Sequence, residues 1–216
     1  MSVVGVLAAG GSGERLGADR PKAFVVVGGK SMVEWSLDVL RSVCDRVVVA
    51  APQETSDLRP QTSDWVDGAS SRSGSVRNAL AAAPEAEVVV VHDAARPFVT
   101  AELVRRCIAA LEGADGAIAA APVTDTVKQA DAEGRVLSTL DRAGLWAVQT
   151  PQVFRAEVLR RALDADERAL AAATDDAGLV EAAGGSVVVV AAPRENMKVT
   201  TPLDLEIAER LLSRAH

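Results

Sequence analysis

The sequence contains no tyrosine, and aromatic residues make up only 3% of its 216 positions. A core for a chain of that length must be filled by Val, Leu, Ile and Ala, which favours buried parallel strands over an aromatic-rich sandwich. Cysteine is nearly absent. Cys44 and Cys107, the two present, lie in apolar, helix-like contexts without CxxC spacing, so they read as reduced, buried thiols of a cytosolic protein. There is no basic tract, and the formal net charge of -7 argues against a broad nucleic-acid or anionic-membrane footprint. Any bound phosphate must find a few Lys and Arg gathered locally. No apolar run is long enough to span a bilayer. Met1-Ser2-Val3-Val4 has no basic region and runs straight into a strand, so it does not read as a signal peptide.

What is present is an ordinary globular balance, 49% hydrophobic and 25% charged, with no linker or internal repeat to divide it. One α/β domain over 1–216 follows. Short Val-rich runs at 3–8, 46–51, 87–92, 116–121 and 186–192 alternate with amphipathic stretches, the pattern of a wound parallel sheet. Helices are predicted at 31–40, 73–82, 101–111, 157–167, 175–183 and 201–212, the first opened by the capping pair Ser31 and Glu34. Thr201, Pro202 and Asp204 open the last. The irregular region is 122–145, where segments 124–128 and 135–140 flank a polar Gly turn and read as a β-hairpin leaving the sheet. Such a hairpin can join two subunits or fold back on its own domain.

A glycine-rich segment, Ala8-Ala9-Gly10-Gly11-Ser12-Gly13-Glu14-Arg15-Leu16-Gly17, follows the first strand at once. Successive N–H groups of such a loop form an anion-binding nest. It is not a P-loop, because Gly13 is followed by Glu14 and Arg15 rather than by Lys and Ser or Thr. It is not the dinucleotide fingerprint either, because Leu16 stands where that pattern needs Gly. What remains is a loop wrapped over a triphosphate, with Arg15 and Lys22 as its cations and Pro21 stiffening the approach to Lys22. A bare Gly-rich turn with two solvated cations is the alternative.

Asp93 ends a buried Val run, where open α/β sheets place their ligands. A hard carboxylate there suits Mg²⁺ shared with phosphates, or a substrate hydroxyl, or simply a cap. His92 would point to the opposite face of the strand, as a core histidine. Asp175 reads as a helix cap within Thr174-Asp175-Asp176.

The string from Gly10 to Lys22 resembles sugar-phosphate nucleotidyltransferases. Four further stretches narrow the resemblance: 91–98 (VHDAARPF), 122–128 (PVTDTVK), 149–154 (QTPQVF) and 196–200 (NMKVT), together with Thr174 to Ala177. In this order, from Val3 to the last helix, they resemble the 2-C-methyl-D-erythritol 4-phosphate cytidylyltransferase family. The resemblance implies a Rossmann-like, glycosyltransferase-A-like three-layer fold with a mostly parallel sheet, and a homodimer built through the arm at about 122–145. It implies a Mg²⁺-dependent reaction of CTP with methylerythritol phosphate. By the same resemblance Arg15, Lys22, Arg142 and Lys198 are the catalytic cations. Ala8, Ala9, Gly10, Gly11, Gly13, Ser75 and Asp93 hold CTP. Asp93, Arg96, Thr126, Arg142, Thr150 and Lys198 reach the acceptor, with Arg142 and Thr150 coming from the arm and, in a swapped dimer, serving the neighbouring site. Thr126 and Thr150 also read as plain strand residues, and Arg96 as an ion-pair partner of Asp93.

One departure stands out. The family's Gly-Gly pair reads Gly68-Ala69 here, and Ala69 would not tolerate positive φ. Two rival readings accompany the resemblance. One changes only the acceptor, to ribitol 5-phosphate, a difference worth about 1–3 kcal/mol per methyl group. The other is a nucleotide-binding regulatory subunit without turnover, which the joint presence of Arg15, Lys22, Asp93 and Lys198 disfavours.

Overall fold

The computed structural model describes residues 1–17, 20–59 and 63–213, with the Arg15 side chain outside the description. Four of the expected strands lie inside a seven-stranded sheet: β1 (Val3–Ala8), β4 (Arg46–Ala51), β6 (Val88–Asp93) and β7 (Gly116–Pro122). Two small strands, β2 (Val26–Val27) and β3 (Lys30–Ser31), precede β4 as a separate ribbon. The sheet is completed by β5 (Asp64–Asp67), β10 (Trp146–Arg155) and β11 (Val187–Ala191), in the order β11-β7-β10-β6-β1-β4-β5. All pairings are parallel except those of β10, which runs antiparallel between β6 and β7.

The valine runs of β1, β4 and β6 are buried on both faces, and their period of two divides them between two cores. Val3, Leu7, Val47, Val49, Val88 and Val90 pack on one side, against α1 (Met32–Arg41) and α3 (Ala101–Ala109). Val4, Val6, Val48, Val89 and Val91 pack on the other, against α2 (Arg72–Ala81), α4 (Ala156–Leu163) and α6 (Asp176–Ala182). In α1 the Ser31–Glu34 capping box forms as its sequence requires, and Thr201 with Asp204 opens α7 (Pro202–Leu212) the same way.

Three expectations are corrected. The single helix expected over 157–167 is two: α4 stops at Leu163, and α5 (Glu167–Ala172) restarts where Asp166 accepts the Ala169 N–H at 2.8 Å. The hairpin strands are shorter than expected, β8 (Lys128–Ala130) and β9 (Val136–Thr139), so Thr124 to Thr126 lie outside the ladder. Gly134, at φ 81, closes their turn, and Asp131 accepts the Arg135 N–H at 2.8 Å. Four strands escaped the pattern altogether: the short β2 and β3, and β5 and β10 of the main sheet. In β10 the stretch Gln149-Thr150-Pro151-Gln152 is a bulged strand interior with a cis Thr150–Pro151 bond, so Thr150 is a strand residue, as one of its two readings had it. Phe154 at its inner end is fully buried over Gly116, where a Cβ would lie 2.7 Å from the ring.

Candidate active site

The parallel register sets Ala8 beside both Ala50 and Asp93, so the carboxyl ends of β1, β4 and β6 open onto one place. A cavity of about 480 Å³ lies there. Its wall runs from Ala8 through Glu14, then Lys22, Ala69 to Arg72, Ser75, Asp93, Lys198 and Thr200. Residues far apart in the chain thus converge on one space.

The glycine loop folds back on the segment that carries Lys22. The Lys22 N–H donates to the Gly11 carbonyl at 3.2 Å. Gly13 sits at φ 84, and a Cβ there would lie 3.2 Å from the Lys22 nitrogen, so both backbone sign and space require glycine. A Cβ on Gly10 would meet nothing within 4 Å, which leaves that stretch of backbone open to the cavity. Lys22 is 8% exposed, and its ammonium reaches Thr200 Oγ1 at 3.4 Å. The Arg15 backbone lies in a tight turn, Glu14–Leu16, at the cavity mouth, while the expected position of its cation lies outside the described side chains.

The opposite wall is the N-terminus of α2. Ser71 caps it by accepting the Gly74 N–H at 3.0 Å. Ser75 Oγ accepts the Ala69 N–H and donates to the Ser71 carbonyl, both at 2.9 Å, so this hydroxyl shapes the loop 69–71 from within. Among the described residues no non-glycine has positive φ. Ala69 therefore fits its backbone, and its methyl is accommodated because Gly74 lacks one, a Cβ there coming within 2.9 Å.

Asp93 is the deep carboxylate, with both oxygens engaged. Oδ1 accepts from Arg72 Nε and Oδ2 from Lys198 Nζ, each at 2.8 Å. Burial alone would raise this carboxyl. The charges of Arg72 and Lys198 outweigh burial and hold it well below the usual carboxylate range. Arg72 continues to Asp176, with Nη1 2.5 Å from Oδ2, and Ser73 Oγ donates to the other oxygen of Asp176 at 3.0 Å. Burial would lower Arg72, but the two carboxylates raise it, so it is a permanent cation.

The expectation of a core histidine at position 92 extends to a relay. His92 is fully buried, and burial pushes its imidazole down to about 4. Its Nε2 faces the Arg96 carbonyl at 3.2 Å, which can only accept, so Nε2 carries the proton and Nδ1 accepts. The Thr150 hydroxyl, 2.9 Å from Nδ1, must therefore donate to it while accepting the Asp93 N–H at 3.0 Å.

Two of the expected acceptor residues are engaged within the fold. Thr150 is buried, its only hydroxyl proton goes to His92, and its oxygen holds the Asp93 N–H. Arg96 is absent from the cavity wall and donates Nη1 to the Asn196 carbonyl at 2.9 Å. With Asn196 Nδ2 bonded to Gln149 Oε1 and to the Thr150 carbonyl, Arg96 laces the 196–199 segment, and hence Lys198, onto the sheet. Thr126 and Arg142 are exposed on the arm, away from the cavity wall of their own chain, and Arg142 donates to the Thr124 carbonyl.

Arg72, Asp176 and Thr200 are residues that sequence reasoning missed. One signal was available for the first. Arg72 opens α2, where the positive end of the helix dipole disfavours a cation, so an Arg there needs a local carboxylate to justify it.

A metal has little of its own here. Among the described residues no three His, Cys, Asp or Glu cluster, and Asp93 already serves two cations. That donor set fits Mg²⁺ arriving on a polyphosphate, since the ion takes one or two carboxylates beside phosphate oxygens and water.

Comparison with known proteins agrees with the geometry. The family model for IspD, 2-C-methyl-D-erythritol 4-phosphate cytidylyltransferase, matches residues 3–214. Proteins of that name from Nocardia farcinica and Rhodococcus opacus are 47% and 46% identical, the alignments covering 99% and 97% of this chain and 95% of each relative. The crystal structure of the Thermus thermophilus protein of that name superposes with a TM-score of 0.84 at 35% identity, covering 98% of this chain and 99% of its own.

Proposed function

This chain belongs to the 2-C-methyl-D-erythritol 4-phosphate cytidylyltransferase family, and from that premise we propose that it transfers the cytidylyl group of CTP to 2-C-methyl-D-erythritol 4-phosphate. The products are 4-diphosphocytidyl-2-C-methyl-D-erythritol and pyrophosphate, so the reaction serves isoprenoid precursor synthesis. The observation that carries this reading is the cavity in which an open glycine backbone faces Lys22, Lys198 and Arg72. It suits two phosphorylated molecules that repel each other.

The acceptor's phosphate, with a second pKa near ~6, is already largely dianionic at neutral pH. One of its oxygens attacks the α-phosphorus of CTP, the bond to the bridging oxygen breaks, and pyrophosphate leaves. No general base is required, and the buried, neutral His92 is not placed to act as one. The work is electrostatic and positional. Lys22, with Arg15 beside the loop, neutralises the triphosphate; Lys198 holds the acceptor phosphate opposite. Ala8 to Gly11, with the loop shaped by Ser75, receive the nucleoside. Asp93 is the residue that would help hold a Mg²⁺ brought in with the triphosphate, and the ion would supply charge neutralisation there.

Thr126 and Arg142 enter this proposal from a second subunit. The arm and the root of β10 expose Val136, Leu137, Leu140, Trp146 and Val148, an apolar set suited to a homodimer that carries each arm to its neighbour's cavity. A cytoplasmic location belongs to the proposal, in keeping with the free, buried thiols of Cys44 and Cys107, which burial pushes up to about 12.

The test is pyrophosphate release on mixing the enzyme with CTP, Mg²⁺ and either acceptor. Release that is faster with methylerythritol phosphate is expected. A clear preference for ribitol 5-phosphate would replace the acceptor, and CTP binding without release would leave a regulatory subunit.

A further inference from the structure

Four charges alternate in sign from the cavity inward: Lys198, Asp93, Arg72 and Asp176. The outer ammonium side chain is 43% exposed and the inner carboxylate fully buried. Stability alone does not account for such a string, because a buried ion pair is commonly no more stabilising than apolar residues of the same shape. A further cost is visible in Arg72. Its Nη2 is sealed from solvent and has no partner among the described residues.

That orphan nitrogen shows what the string does. On a guanidinium, Nε and Nη2 form one edge of the fork, and a lone carboxylate normally takes both of their protons. Asp93 meets only Nε, and its second oxygen is on Lys198. The fork stays half used because Asp176, itself held by Ser73, pulls on Nη1. We propose that Arg72 and Asp176 are positioning residues: by dividing Arg72 between two carboxylates, Asp176 leaves one oxygen of Asp93 to hold Lys198 where it meets the acceptor phosphate. Without the pull of Asp176, Arg72 closes both prongs on Asp93 and competes with Lys198 for its second oxygen, so the hold on Lys198 loosens.

This inference rests on the proposed cytidylyl transfer, so wild-type turnover is the control for that reading. Asp176→Asn is nearly isosteric and keeps an acceptor for Ser73. It is expected to lower kcat/KM for methylerythritol phosphate about 10- to 100-fold, the worth of one charge-assisted contact. CTP affinity should stay close to wild type, while the melting temperature should fall, because Arg72 loses one of its two buried counter-charges. In a Lys198→Met background, where no ammonium remains to be released, Asp176→Asn should change single-turnover rates by less than about threefold. Acetic anhydride labelling of Lys198, read by peptide mass, should be several-fold faster in Asp176→Asn, whether or not the enzyme turns over. Equal losses in both backgrounds, or unchanged labelling, would overturn the inference. Absence of turnover in the wild type would sink the function instead, and the labelling arm would still decide the positioning role.

Discussion

Lys22 shows how the site brings a charge to a buried place. Pro21 fixes the chain before it, the Gly11 carbonyl holds its N–H, and Gly13 makes room for that close approach. A lysine that is only 8% exposed is costly to keep charged, and an incoming polyphosphate helps offset that cost. Lys22→Met keeps the length of the side chain and removes the charge. Pyrophosphate release should fall at least about 100-fold in kcat/KM, roughly 3 kcal/mol of transition-state stabilisation. Activity within tenfold of wild type would mean that this charge is not used in the reaction.

At the scale of elements, the arm is a short two-stranded ribbon whose root is β10. Arg142 lies in a tight turn, Arg142–Gly144, just before that strand and away from its own cavity. Arg142→Ala should raise KM for the acceptor about tenfold or more, the value of one charged contact, and leave CTP affinity within about threefold. A collapse of CTP binding would place it in the other half of the site. Elements also differed in how plainly the chain declared them. β1 and β4 could be read to the residue, since the valine runs give way to Ala9-Gly10-Gly11 after Ala8 and to Pro52 after Ala51. The caps of α1 and α7 were legible because capping is a matter of three or four neighbouring residues. β10 was not, because a Thr-Pro pair interrupts its pattern and only the sheet on both sides makes it a strand. The partnership of Arg72 with Asp176 was hidden for a related reason: 104 positions separate them, and no local periodicity encodes such a contact.

At the scale of the whole molecule, the buried relay ties stability to pH. His92 ordinarily titrates near 6.5 and here at about 4, so between those values the unfolded chain binds a proton that the folded one refuses. Stability must then fall as pH drops from 6.5 to 4, by about 3 kcal/mol in total. Asp93, held below the carboxylate range, adds its own loss only as pH falls further, below about 3.9. Urea melts at pH 7, 5.5 and 4.5 should show the first slope in the wild type and a flatter curve for His92→Gln; parallel curves would rule out the histidine. The strand that carries Thr150 under Asp93 also begins, four residues earlier, at exposed Trp146, and that continuity limits how the chain can be rebuilt. One added residue between those two would turn the threonine to the other side of the sheet, whereas the tip near Asp131 and Gly134 is free of any such phase. A fluorophore or an affinity handle belongs at that tip, and the ten residues of β10 are a rod whose length cannot be edited.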